Sequence, residues 1–184
     1  MDSSEIIPVI DFSTCSLKST VSELDLSLEI YEEVHVARRV VEAFKDIGFV
    51  YLLNHGISDE LLQEAFCRSR EFFNLPVEVK NKYLASPETH HKGYFGLGNE
   101  AFDPSTPGDT KEFFDLTVST LNGAIWPEEV DKFEDIFVKL FKECARLCHR
   151  ILKMLTYTDS TWTTSTFSFA VTLSPIWISH TPVA

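Results

Sequence analysis

The chain has 184 residues, a length that suits one domain or one domain with a tail. Hydrophobic residues make up 44% and aromatic residues 12%, a composition that excludes a disordered or fibrous protein. The formal net charge of −12 disfavours binding to nucleic acid and to anionic membranes, because both carry negative charge themselves. The four cysteines are too few for a disulfide scaffold, and the first residues carry no signal-peptide pattern. We therefore expect a cytoplasmic protein with reduced thiols.

Strands and helices alternate along the first third of the chain. Residues 6–12 form a short apolar run, in which Pro8 indicates an edge strand or the start of a strand. A polar stretch predicts a loop over 13–29, and apolar residues at helical spacing then predict a helix over 31–47. The continuous apolar run 49–53 predicts a strand that is covered on both faces.

Further elements follow along the chain. Ser58 is a suitable N-cap for a helix whose apolar face is predicted to contain Leu62, Ala65, Phe66, Ser69, Phe72 and Phe73. Pro76 indicates a short helix through Tyr83. Residues 85–111 are rich in glycine and proline and predict mostly loop, whereas 112–118 predict a strand. A single apolar stripe over 130–155 predicts a helix of about seven turns.

The composition changes sharply near residue 156. Residues 156–184 contain no Lys, Arg or Glu, and 13 of these 29 residues are Ser or Thr. We therefore predict a patterned α/β domain over 5–155, with helices packed on a few strands, and an aberrant Ser/Thr-rich tail over 156–184. A shifted reading frame, a retained intron or a wrong gene assignment would each produce such a tail.

Six segments of the chain resemble one known family, in that family's order. The segments are IPVIDF at 7–12, GFVYLLNHGI at 48–57, FFNLPVEVK at 72–80, GY at 93–94 with Glu100, KEFFD at 111–115 and WP at 126–127. Together they resemble the N-terminal region of the iron(II)- and 2-oxoglutarate-dependent dioxygenases of the isopenicillin-N-synthase-like superfamily. The resemblance implies an α/β cap of a double-stranded β-helix fold, and an oxidoreductase that acts on a small organic substrate.

The resemblance also implies which residues the chemistry needs. Such enzymes bind iron(II) through two histidines and one carboxylate, commonly as His-x-Asp or His-x-Glu with a distant His. An Arg-x-Ser motif pairs with the distal carboxylate of 2-oxoglutarate. None of the six histidines is followed two residues later by an acid, and none of the six arginines begins Arg-x-Ser. We therefore expect no catalytic residue, no metal ligand and no bound cofactor in this chain, although the family uses iron(II) and 2-oxoglutarate.

Individual residues leave alternatives open. His55 is either a metal ligand or a turn histidine that binds the backbone, and the second interpretation is favoured. The adjacent His90 and His91 point apart on an extended chain, which makes them a poor chelate. Cys144 and Cys148 lie on one helix face, where zinc binding would need two further ligands, so packing is the favoured interpretation.

By resemblance, the loop with Tyr94 and Phe95 lies near the mouth of the active site, and these two residues are candidate substrate-lining residues; a packed aromatic is the alternative for Tyr94.

Two functions remain as hypotheses from the sequence. The first is a dioxygenase of the family, which this chain alone is not expected to catalyse. The second is a truncated, non-catalytic product that is inert or binds a full-length relative. Without a β-helix, one face and edge of the strand at 49–53 is left bare, so we expect marginal stability or self-association through that strand. The substrate itself has no signature in the sequence.

Overall fold

The computed structural model describes most of the patterned part of the chain. The described residues are 7–18, 26–86, 92–98, 108, 110–116, 121, 125–158 and 176–180, with only the backbone described for 26–30 and 176–180. They divide into two compact units, one drawn from 1–58 and 142–171, the other from 59–141 and 172–184. No helix within these described ranges combines the length and the hydrophobicity needed to cross a membrane.

The described residues form a mixture of four α-helices and five short strands, which confirms the α/β prediction. The helices are α1 (Leu26–Asp46), α2 (Asp59–Phe73), α3 (Val77–Lys80) and α4 (Phe133–Leu155). The strands are β1 (Val9–Asp11), β2 (Tyr51–Leu53), β3 (Gly93–Phe95), β4 (Glu112–Leu116) and β5 (Ile176–His180). The described strands form one two-stranded and one three-stranded sheet, and close no barrel.

The first unit is built around a parallel pair of strands. β1 and β2 pair with Ile10 opposite Leu52, and Ile10 packs with buried residues of α1 and of the end of α4, including Ala37, Val40 and Met154. Gly48 follows α1 at φ +82, a conformation that glycine adopts without strain.

One face of this two-stranded sheet is not covered by the described residues. Tyr51 is 58% exposed and Leu53 is 53% exposed, and Val9 beside them is also exposed. The prediction of a strand covered on both faces is therefore wrong for these residues. A continuous apolar run specifies that both faces are apolar, but it does not specify that both are covered in this chain.

The second unit holds an antiparallel sheet in the order β3-β4-β5. Each residue of β4 is buried, and the sheet packs with α2 and the first part of α4 around an aromatic core. The ring of Phe72 lies at its centre, completely buried. β5 lies inside the predicted tail and pairs along the whole of β4, from Leu116 to Glu112.

The helices α1 and α2 differ in detail from their predictions. α1 begins at Leu26, inside the stretch predicted as a loop, so the helix starts earlier than the predicted residue 31. The buried face of α2 contains Leu61 rather than Leu62, and Phe66 is 65% exposed. Apolar residues occur at several registers of this helix, so hydrophobicity alone did not fix the rotation of the helix against the sheet.

A polar clamp joins the turn after α3 to the segment before α4. Lys82 Nζ donates to Glu129 Oε1 at 2.7 Å, and the Tyr83 hydroxyl donates to Glu129 Oε2 at 2.5 Å. The hydrogen bond from Lys82, and next the one from Tyr83, lower the pKa of Glu129 from 4.5 to about 2.

The clamp predicts a pH dependence of stability. A carboxyl group whose pKa is lowered by folding stabilises the protein above its unfolded-state pKa, and this stabilisation is lost as pH falls through the folded-state value. The wild type should therefore have a higher free energy of unfolding in urea than Glu129→Gln at about pH 6. This difference in free energy should shrink as the pH falls from about 4.5 towards 2. A difference in the free energy of unfolding between the two proteins that is the same at about pH 6 and at about pH 2 would contradict the clamp.

Candidate functional site

A buried charged network lies beside β3 and β4 in the second unit. Lys80 Nζ donates to Glu112 Oε2 at 2.7 Å and to the carbonyl oxygen of Phe73 at 2.9 Å. The Tyr94 hydroxyl donates to the same Glu112 oxygen at 2.5 Å. Lys80, Glu112 and Tyr94 are all buried. Burial, and next the bond to Glu112, raise the pKa of Tyr94 well above its usual range, so its hydroxyl keeps its proton at neutral pH.

An open cavity of about 680 Å³ borders this network. Its polar lining contains the three network side chains together with Asn74 and Asn81. The apolar lining consists of Phe73, Val77, Leu84 and Leu97. Five of these lining side chains are polar and four are apolar, so the cavity is more polar than the usual small-molecule pocket, whose walls are mostly apolar with a few convergent polar groups.

Gly93 holds β3 against the turn that follows α3. Its φ is +124, and a Cβ atom at this position would lie 2.6 Å from the carbonyl oxygen of Tyr83. The neighbouring strand residue Tyr94 accepts a hydrogen bond at its carbonyl oxygen from the backbone N–H of Ala85 at 2.9 Å. Any side chain at Gly93 would push β3 away from the turn that contains Tyr83.

Gly93→Ala should therefore destabilise the second unit. We expect a loss of about 1–3 kcal/mol in the free energy of unfolding, from an unfavourable backbone angle together with a backbone clash. Urea denaturation followed by tryptophan fluorescence measures it. Gly98→Ala is the matched control, because Gly98 also has a positive φ but has open space at its Cβ position; an equal loss in both variants would show that the clash contributes nothing.

The opposite face of the β3–β4 pair carries a second polar group. Cross-strand partners share a face, so Phe95 and Phe113 lie together on the side opposite Tyr94 and Phe114. The rings of Phe95 and Phe113 stack with centroids 4.5 Å apart. On the same face, Asp115 Oδ2 accepts a hydrogen bond from Lys92 Nζ at 2.6 Å.

The structure separates the candidate residues that the sequence indicated. Tyr94 is buried in the aromatic core and borders the cavity, whereas Phe95 lies half-buried on the other face of the same strand. A substrate-lining role for either residue stays a prediction. Sequence reasoning missed Lys80, Glu112 and Asp115. The only local signal was the presence of two acids in the otherwise apolar strand Glu112–Leu116.

The histidine and cysteine candidates do not gather into a site among the described residues. His55 Nδ1 accepts a hydrogen bond from the backbone N–H of Ile57 at 3.1 Å, as a turn histidine does. His90 and His91 lie outside the described residues. Cys144 is half-buried, and burial raises the pKa of its thiol to about 11, whereas Cys148 is exposed. The prediction that both cysteines pack in the core is therefore wrong for Cys148.

The described residues do not fit an iron(II) centre. Among them, no three His, Cys, Asp or Glu side chains come together to bind a metal ion. The acids of β4 are each paired with a lysine, which is the arrangement of internal ion pairs and not of open metal ligands.

Comparison with known proteins identifies the family. The family described as "non-haem dioxygenase in morphine synthesis N-terminal" matches residues 7–132. That range is more than half of the 184 residues. The chain belongs to this family. The match contains all six segments on which the resemblance to 2-oxoglutarate-dependent dioxygenases rests, and it confirms that resemblance.

The curated relatives of this chain include plant oxygenases. A homoarginine-6-hydroxylase of Arabidopsis thaliana is 28% identical over 157 residues, which cover 80% of this chain and 46% of that protein. Jasmonate-induced oxygenase 4 of the same species is 28% identical over 149 residues, covering 80% of this chain and 42% of that protein. The chain thus spans about half the length of the curated relatives it matches.

Solved structures share the fold. A full-length Neurospora crassa protein in complex with alpha-KG superposes with a TM-score of 0.73 at 22% identity, over 96% of this chain and 54% of that chain. A "putative 2OG-Fe(II) oxygenase family protein" from Caulobacter crescentus gives a TM-score of 0.64 at 18% identity, over 88% of this chain and 51% of that chain. This chain therefore has the fold of part of a 2-oxoglutarate oxygenase.

Proposed function

We propose that this chain is the N-terminal, substrate-side part of an oxidoreductase that uses iron(II), 2-oxoglutarate and O₂ on a small organic substrate. The observation that carries the proposal is the family match over residues 7–132. Curated relatives named as hydroxylases or oxygenases support the reaction class. Since the sequence contains no His-x-Asp or His-x-Glu and no Arg-x-Ser, we propose that this polypeptide alone is inactive and holds neither cofactor.

The proposed contribution of the chain is to position substrate-facing groups on a rigid strand. β3 is fixed on one side by the core around Tyr94 and at its start by the close approach of Gly93 to Tyr83. Residues on such a strand hold their positions better than residues on a free loop. In this proposal Tyr94 supports the strand while bordering the cavity, and Phe95 presents its ring on the opposite face.

A chimera tests the proposed function. Residues 7–132 would replace the matching region of the Arabidopsis homoarginine-6-hydroxylase, of which this chain covers 46%. We expect the chimera to bind iron(II) and convert 2-oxoglutarate to succinate, and Tyr94→Ala to reduce that conversion more than Phe66→Ala, a change at an exposed position. A chimera that melts cooperatively and binds iron(II), but consumes no 2-oxoglutarate, would contradict the proposal.

A second candidate is a non-catalytic product that binds a full-length relative or itself. The uncovered face of the β1–β2 sheet, which contains Val9, Tyr51 and Leu53, favours it, because an exposed apolar sheet face is a common association site. Sedimentation velocity should show an oligomer that Tyr51→Glu dissociates, with Glu134→Gln as a surface control. A monomer at all concentrations, with no binding of a dye for apolar surfaces, would reject this candidate.

The proposed setting is the cytoplasm, with a small molecule as the ligand of the complete protein and no nucleic acid as a partner. The structure pairs none of the four cysteines, all of which are described, in a disulfide, and this and the net charge of −12 support the proposal.

A further inference from the structure

Basic residues occupy one face of the C-terminal half of α4. Residues 144–155 contain Arg146, His149, Arg150 and Lys153 but no acid, in a chain whose net charge is −12. Residues spaced by three, four and seven positions lie on the same face of a helix. The negative end of the helix dipole attracts cations only within the last turn, which contains Lys153 alone among these four. The dipole therefore does not explain the other three basic residues.

All four basic side chains line one open cavity of about 590 Å³, in the first unit. Arg146, His149 and Lys153 are exposed, and the side chain of Arg150 is 28% exposed, so a ligand in solution can reach this group. Leu17 and Ala145 complete the lining and supply its apolar part. The volume lies within the roughly 300–1,000 Å³ that is usual for small-molecule pockets.

Two acids neutralise the two arginines in part. Arg146 Nη1 donates to both carboxylate oxygens of Glu143 at 2.9 Å, but Arg146 is 59% exposed, and such a surface pair exchanges its partners at little cost. Arg150 Nη2 donates to Glu33 Oε1 at 3.3 Å, whereas Arg150 Nε is buried without a partner among the described residues. Glu33 therefore satisfies only part of this guanidinium group.

The other two basic side chains have no partner. Neither Lys153 nor His149 forms a side-chain hydrogen bond or ion pair with another described residue. The cavity thus has an excess of positive charge and more donors than acceptors, which favours an anionic ligand. Guanidinium and ammonium groups together are the usual ligands of a phosphate group, because its oxygens accept several charged hydrogen bonds at once.

We propose that this cavity binds the phosphate monoester of a small organic molecule. Arg150 and Lys153 donate to the phosphate group, and Leu17 and Ala145 contact the organic part. The site goes beyond the proposed function, because the four basic residues lie outside the range 7–132 that the family match covers. Its test needs neither iron(II) nor 2-oxoglutarate.

Two probes with the same ring test the proposal on the purified full chain. Phenyl phosphate carries the phosphate monoester, and benzoate carries one carboxylate. In an NMR titration at constant ionic strength, phenyl phosphate should shift the backbone amide signals of residues 145–153 saturably. It should bind about tenfold more tightly than benzoate, because it accepts at least one further hydrogen bond from a charged donor. Equal affinities, or no saturable shift with phenyl phosphate, would overturn the proposal.

Inorganic phosphate distinguishes a monoester from the free ion. It lacks the organic part that contacts Leu17 and Ala145, so it should shift the same amide signals but bind more weakly than phenyl phosphate. Binding of inorganic phosphate as tightly as phenyl phosphate would overturn the assignment of an organic ligand.

Matched variants separate the site from the charge of the whole protein. Lys153→Gln should weaken the binding of phenyl phosphate about tenfold. Lys45→Gln removes the same charge from an exposed position of the first unit that does not line the cavity, and it should change the affinity less than about twofold. Lys153 is exposed and unpaired, so its variant should keep the fold, as judged by its NMR spectrum. Equal losses in the two variants, or no loss in Lys153→Gln, would overturn the site.

Discussion

Replacing Glu112 with alanine should destabilise the protein by about 3–5 kcal/mol, enough to leave a large fraction of the molecules unfolded. The substitution leaves the ammonium group of Lys80 buried without its counter-charge, and it removes the acceptor of the Tyr94 hydroxyl. Both groups are buried in the wild-type protein, where a polar group without a partner costs free energy. Urea unfolding, together with the circular dichroism of the folded population, measures the loss.

Two controls identify the buried charge as the cause. Lys80→Met combined with Glu112→Gln removes both charges while the glutamine still accepts from Tyr94, so the double variant should lose less stability than Glu112→Ala alone. Glu143→Ala removes half of the exposed pair with Arg146 and should change stability by no more than about 0.5 kcal/mol. A loss below about 1 kcal/mol for Glu112→Ala would show that the pair is not buried as described.

Phe72→Ala should cost about 3–5 kcal/mol, the usual range for removing a large buried ring. The ring of Phe72 has no exposed surface. Its aromatic neighbours among the described residues are five rings, with centroids between 5.2 and 6.1 Å away: Phe73, Tyr83, Tyr94, Phe114 and Phe133. These neighbours come from α2, the turn after α3, β3, β4 and α4, so the cavity left by alanine would loosen every element that fixes the candidate site.

Phe66→Ala is the matched control for this substitution. Phe66 lies on the same helix and undergoes the same chemical change, but its side chain is 65% exposed. We expect a change within about 0.5 kcal/mol, measured by the same unfolding experiment. If Phe66→Ala were as costly as Phe72→Ala, the rotation of α2 would be wrong, and the face predicted from the sequence would be the buried one.

The sequence predicted the elements whose signal is local. The helix α4 was predicted because one stripe of apolar residues recurs through all of its 23 residues. The pattern at 112–118 predicted β4, which the structure gives as Glu112–Leu116; residues 117–118 lie outside the described residues. The N-terminal part of α1 was missed because 13–29 was taken as one polar stretch. The sequence nevertheless has a suitable N-cap residue in Asp25, and Leu26 and Ile30 follow at helical spacing.

The candidate site depends on contacts that no local pattern shows. Lys80 and Glu112 are 32 residues apart, and Lys92 and Asp115 are 23 apart. Each charged residue alone is more often solvated than buried, so its burial follows only from the packing of β3 and β4. Tyr94 and Phe95 were found because the family resemblance drew attention to their strand, and the opposite faces that they occupy follow from strand alternation once β3 is known.

The most direct test of the central claim is a calorimetric titration of the purified chain with iron(II), with and without 2-oxoglutarate. The claim is that this family member supplies the substrate-side scaffold and not the metal centre. It predicts no stoichiometric heat of binding in either titration. Stoichiometric binding of iron(II) that 2-oxoglutarate strengthens would contradict the claim, and it would assign the ligands to residues such as His55, His90 or His91.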